Sequence, residues 1–185
     1  ARDLKRRRIG PKRSILFLVP TAEEVGLLGS SHFAQHPTVP RKSIVADVNF
    51  DMPLPIFPLR SVTPIGFEES TLGDAAAAVS AKMGLPIVPD PFPDRNVFIR
   101  SDQYSFIRAG VPSLFIKFGF SAGTPEAELE RNWRARYYHS PRDDTRQPVQ
   151  PEEAVRLNDW TRALLLRIAN DPVVPAWRPT SQFAK

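Results

Sequence analysis

At 185 residues, with 42% hydrophobic and 24% charged side chains, the chain has the size and balance of one globular domain able to bury a core. Cysteine is absent, which excludes disulfides, thiolate metal sites and cysteine nucleophiles and leaves nitrogen and oxygen as metal donors. The net charge of +5 does not mark a nucleic-acid binder: Arg2, Lys5, Arg6, Arg7, Arg8, Lys12 and Arg13 crowd the N-terminus against Asp3 alone, and no basic stripe interleaved with aromatics follows.

Residues 1–13 read as a basic helix end or linker, broken at Gly10-Pro11. The chain opens on Ala1 without a signal-peptide pattern and reads as the middle of a domain, with residues expected upstream. Ser14 to Pro20 is a continuous apolar run of strand length, expected to be buried on both faces. A short Gly-containing helix is expected from Gly26 to Ala34, and Ile44 to Asp51 reads as a second buried strand ending in an acid. Ser61 to Phe67 is a weaker strand. Thr71 to Met83, with its alanine block, is a helix stopped by Gly84 and Pro86.

Four prolines between Pro86 and Arg100 indicate a long ordered loop. Ser101 to Ala109 reads as a short helix with Ser101 or Asp102 at its N-cap. Val111 to Phe118 is another buried strand, and Gly119 to Tyr137 reads as a polar loop. Pro151 to Asn170 is the last long helix, with Val155, Leu157, Trp160, Leu164, Leu165 and Ile168 on its apolar face. Residues 171–185 form an extended, Pro-rich tail. No apolar run approaches the roughly 20 residues needed to span a bilayer.

Strands alternating with helices imply an α/β fold, a three-layer α/β/α sandwich with a mixed, largely parallel sheet. Such sheets bind ligands at the carboxyl ends of their strands, where Glu23, Glu24 and Asp51 fall. Two adjacent glutamates leaving a strand diverge, so one can bind a metal while the other faces the water that the metal activates. The plainer reading makes them the acidic first turn of the next helix, favoured by its dipole. The pair alone does not overcome that reading.

Four blocks in order change the balance. Arg13 to Ser30 carries the paired glutamates, and Asn49-Phe50-Asp51 ends a strand. Arg100 to Phe106 is followed by Ala109-Gly110-Val111-Pro112, and Tyr138 to Asp143 closes the series. Together they resemble the co-catalytic zinc exopeptidases, the family of the bacterial leucyl aminopeptidases and the glutamate carboxypeptidase group, and they cover most of residues 13–145.

The resemblance implies that Glu23 is the general base taking a proton from zinc-bound water. It implies that Glu24 and His139 ligate one zinc and Asp51 the other. Asp102 and Asp143 become candidates to orient the site, with a helix N-cap and a turn residue as their plainer alternatives. His32 and His36 stand at helical metal-site spacing but lack the intervening Glu of a zinc-protease helix, and are read as surface or structural. Glu68-Glu69 reads as N-terminal helix charge. Gln103 stands where many relatives carry His.

Family members hold two zinc ions with five protein ligands. The His of a His-x-Asp motif and a bridging Asp belong upstream of the paired glutamates, and nothing before Ser14 supplies them. The 185 residues therefore read as the C-terminal portion of one catalytic domain, inactive alone, from a parent acting on peptides as an aminopeptidase. A carboxypeptidase, a glutaminyl-cyclase-like acyl transferase and a non-catalytic receptor ectodomain are the alternatives within the fold. The family also implies a secreted or periplasmic location.

Overall fold

The structure, a computed structural model, describes residues 10–184; most of the basic run and the last residue lie outside the described residues. Five α-helices lie among them: α1 (Leu28–Gln35), α2 (Leu72–Met83), α3 (Gln103–Arg108), α4 (Pro125–Arg136) and α5 (Pro151–Asn170). Three strands, β1 (Asp47–Asn49), β2 (Ser61–Ile65) and β3 (Ser113–Gly119), form one sheet in the order β1-β3-β2. β1 runs parallel to β3, with Asp47 opposite Ser113, whereas β2 runs antiparallel, with Thr63 opposite Lys117. The result is a mixed α/β fold with a small mixed sheet, rather than the largely parallel sheet expected.

The core grows from the side of the sheet that β3 fills with Leu114, Ile116 and Phe118. These join Leu72, Ala76 and Val79 of α2 and Leu157, Trp160, Leu164 and Ile168 of α5 in one buried cluster. Alternation along β3 turns Phe115 and Lys117 to the opposite face, toward the candidate site. The helical repeat of α5 explains its burial, and its Trp160 Nε1 donates to Ser80 Oγ of α2 at 3.0 Å, so the buried indole leaves no orphan donor. Gly84 ends α2 in the left-handed conformation that a residue with a Cβ rarely adopts. Val155 departs from the expected apolar face and is exposed.

Two further expectations fail instructively. Residues 14–20 form no strand, and Leu16, Phe17, Leu18 and Val19 are exposed. Their composition favours a buried strand, but among the described residues no neighbouring strand pairs with them. A buried strand needs partners for its backbone groups as well as apolar side chains. The segment is instead held at its base, where Arg13 N donates to Ala169 O at 2.9 Å.

The second failure is α4, which replaces the polar loop expected over residues 119–137. Its signals are local: Thr124 accepts a capping bond from Ala127 N, Pro125 opens the helix, Glu126 and Glu128 lie in the first turn and Arg134 and Arg136 in the last. The C-terminal tail is non-helical, with turns at residues 179–180 and 182–183, and is tied down by Thr71 N to Ala176 O and Arg178 N to Glu69 O. Glu69 thus anchors the tail, its carboxylate also accepting from Ser181 Oγ, rather than serving only as helix charge.

Candidate active site

The paired glutamates sit in a turn between residues 20 and 28. Leu27 N and Gly26 N both bond to Glu23 O, and Gly29 N reaches back to Thr21 O at 3.0 Å. Gly29 permits this close return, because a Cβ there would meet Thr21 O at 2.5 Å and Thr21 N at 2.6 Å. Ala22, immediately before Glu23, is held at φ 59. Such positions in non-glycine residues cost on the order of 1–3 kcal/mol and persist where surrounding contacts over-determine them.

Across the site, His139 Nε2 lies 2.6 Å from Glu24 Oε1, joining residues 115 positions apart in the chain. Both side chains are largely exposed, at 51% and 65%, so the contact adds little to stability. His139 is itself left-handed, at φ 55, and its ring stacks on Tyr138 with centroids 3.7 Å apart. Tyr138 carries the Arg134 guanidinium 4.5 Å above its ring. This stack fixes the face that the imidazole presents.

Asp51 follows β1, and its Oδ2 accepts from Ser101 Oγ at 2.9 Å. Asn49 Nδ2 reaches Ser101 Oγ at 3.2 Å and Gln103 Oε1 at 2.6 Å. Gln103 is fully buried and spends its amide donors on the carbonyls of Val97 and Phe98. Its place in this network makes it a structural knot. Ser101, expected only as a helix-cap candidate, links the Asp51 turn to α3 through its bond to Asp51 and the one its carbonyl accepts from Tyr104 N.

Burial first, and then the negative fields of Glu24, Asp51 and Asp102, push the Glu23 carboxyl above the ordinary range, with the nearby Ser101 hydroxyl working the other way. Asp102 occupies the N-cap position of α3, as expected, but its side chain makes no capping bond and its Oδ1 is buried without a partner. Asp47 is likewise inside: β1 leaves the residue only partly covered, but Oδ2 is buried and unpartnered, and burial pushes its carboxyl up to about 7. Asp143 is exposed in a turn whose N–H bonds to Ser140 O, as its plainer reading expected. His32 and His36 are exposed on and just beyond α1, with ring centroids 5.0 Å apart.

Among the described residues Lys117 is the cation bonded to the Asp51 backbone, and its position in an otherwise apolar strand is the overlooked signal. Its Nζ donates to Asp51 O at 2.8 Å and Met52 O at 3.1 Å. Burial pulls its amine down to about 8, partly opposed by Asp51. Lys117 also lines a cleft enclosing about 540 Å³, open solvent included, together with Met52, Phe57, Phe92, Phe120 and Arg95. Along its wall Arg95 grips Glu130 through both guanidinium nitrogens at 2.6 and 3.1 Å, and Arg134 adds a third bond.

The donors Glu24, His139 and Asp51 suit zinc in type, but among the described residues no three His, Asp or Glu converge closely enough to hold a metal ion. Catalytic zinc ordinarily uses three protein ligands. A single carboxylate–imidazole pair with a separate carboxylate does not complete such a site.

Comparison with known proteins identifies the family. Residues 1–165 match peptidase family M28. The chain belongs to that family. It is similar in structure to the aminopeptidase from Aneurinibacillus sp. strain AM-1 (TM-score 0.54, 21% identity), covering 88% of this chain and 33% of that one. It is also similar to LapA from Legionella pneumophila (TM-score 0.58, 20% identity), covering 89% of this chain and 43% of that one. The chain therefore spans less than half the length of either protein, and at these identities the likeness speaks to the fold. No curated protein matches it by sequence. Among the described residues no helix is long and apolar enough to cross a membrane.

Proposed function

We propose that this M28 chain carries the base and part of the metal-ligand set of a zinc-dependent aminopeptidase, and that the remaining ligands come from polypeptide outside the described residues. The observation that carries the reading is the approach of His139 to Glu24 beside a Glu23 whose carboxyl is pushed upward. Left-handed backbone at Ala22, Met52 and His139 borders or coincides with three of these positions, which is where strain concentrates when a site demands it.

In this reading Glu23 accepts a proton from the attacking water. A raised carboxyl is the better base, because proton-transfer efficiency is greatest when the group's pKa lies near the working pH. Glu24, His139 and Asp51 are donors for zinc, the cofactor that the reading requires. Peptide is the substrate, entering by its N-terminal residue, and the cleft beside Asp51 receives that residue's side chain. The 185-residue chain by itself does not turn over, since its donors are too few to hold zinc tightly.

The test compares leucine p-nitroanilide hydrolysis and zinc content for the full polypeptide carrying this sequence and for the 185-residue chain. Hydrolysis with bound zinc in the former and none in the latter supports the reading. A fully active, zinc-loaded 185-residue chain overturns the division of the site.

A further inference from the structure

The turn after Asp51 has an unusual backbone. Met52 and Leu54 both lie in the left-handed region, at φ 48 and 54, although neither is glycine. Each costs on the order of 1 kcal/mol or more and returns to extended or right-handed geometry unless something holds it. Backbone bonding within the turn is sparse: Ile56 N reaches Leu54 O at 2.9 Å. The successive carbonyls of Asp51 and Met52 instead converge on one atom, Lys117 Nζ.

Lys117 is well suited to that task. It stands on β3, paired with Thr63 of β2, and is the one half-buried residue of an otherwise buried strand. Its ammonium also lies 4.2 Å from the centroid of the Phe115 ring, which confines it further. Charge-assisted bonds from an ordered, largely buried donor are about twice as strong as neutral ones. From the other side, Ser101 Oγ holds the Asp51 carboxylate itself.

We infer that Lys117 is a positioning residue, whose clamp on the Asp51 and Met52 carbonyls sets the left-handed turn that aims Asp51 and shapes the Met52 wall of the adjoining cleft. Its importance for catalysis rests on the peptidase reading above, but the clamp can be measured without any turnover.

The first experiment uses the unaltered chain and NMR of lysine side-chain nitrogens. Lys117 should show ammonium protons exchanging at least roughly tenfold more slowly than those of the exposed Lys42 and Lys82. The second is amide hydrogen exchange on K117M, which keeps length without charge, and K117R, which keeps charge and donors. K117M should raise exchange at residues 52–56 about tenfold or more while leaving β2 and β3 unchanged, and K117R should recover most of that protection.

Rescue by K117R separates a donor clamp from simple filling of space. Rapid ammonium exchange in the native chain overturns the inference. So does unchanged exchange at 52–56 in K117M, or loosening of the whole sheet that K117R fails to rescue. If K117M does not fold, the ammonium measurement on the native chain decides alone. Failure of the full polypeptide to cleave peptides would sink the peptidase reading and leave these measurements standing.

Discussion

Replacing Asp47 by Asn should flatten the dependence of stability on pH. In the folded chain the Asp47 carboxyl titrates near 7, pushed there by burial, against an ordinary value of 3.8. Because the folded value is the higher one, folding favours the protonated form. The associated stability is fully present below about pH 4 and is lost progressively as pH rises to about 7.

Each pH unit inside that window is worth 1.36 kcal/mol, so the complete loss is on the order of 4 kcal/mol, and about 3 kcal/mol of it falls between pH 5 and 8. For a chain of this size that corresponds to roughly 6–12 °C in Tm. The unpartnered Oδ2 gives the same sign, since an ionised oxygen without a donor is costly to bury. Urea unfolding of the wild type and D47N at pH 5 and 8 checks this. The variant should match the wild type within about 1 kcal/mol at pH 5 and exceed it by roughly 2–4 kcal/mol at pH 8. An equal loss of stability in both proteins between the two pH values would refute the assignment of a buried, protonated Asp47.

Other perturbations probe the remaining links. G29A forces a Cβ onto the backbone of Thr21; thermal unfolding should show destabilisation of about 1–3 kcal/mol, with amide exchange loosening over residues 21–29 first. L164A removes a fully buried side chain between α5 and the sheet and should cost about 2–5 kcal/mol in urea unfolding without moving the Glu24–His139 pair. H139A and E24Q in the full polypeptide should each weaken zinc binding by more than roughly 100-fold in a competitive chelator titration, since loss of an indirect partner alone costs 10–100-fold. Zinc affinity unchanged in both variants would remove these residues from the ligand set.

Much of the fold was legible because local signals and tertiary packing agree. The alanine-rich α2 ends at Gly84, α5 carries a 3.6-residue apolar stripe, and β3 is a short apolar run, so each is written in a few consecutive residues. Leu16 to Val19 shows the opposite case. The pattern reads as a buried strand, but burial requires a neighbour that the described residues do not supply. The polar composition of α4 concealed a helix whose caps and charges were nevertheless in place.

The site divides in the same way. Paired glutamates, a strand-end aspartate and a late histidine are recognisable as an ordered series, and the structure draws Glu24 and His139 into contact. Lys117 shows in the sequence only as a charge in an apolar strand, Asp47 carries no signal there and Ser101 only that of a helix cap, because their significance lies in what they touch. A lysine becomes a clamp only once two carbonyls from another segment meet it, and Asp47 acquires its raised titration only when folding buries its carboxyl.

The most direct test of the peptidase reading is E23Q in the full polypeptide, assayed with leucine p-nitroanilide while zinc is counted on the same sample. The substitution removes the proton acceptor but leaves Glu24, His139 and Asp51 in place. E23Q should retain wild-type zinc content and lose roughly 10²–10⁴-fold in kcat. A zinc-loaded E23Q that turns over within a few-fold of the wild type would contradict the assignment of Glu23 as the base.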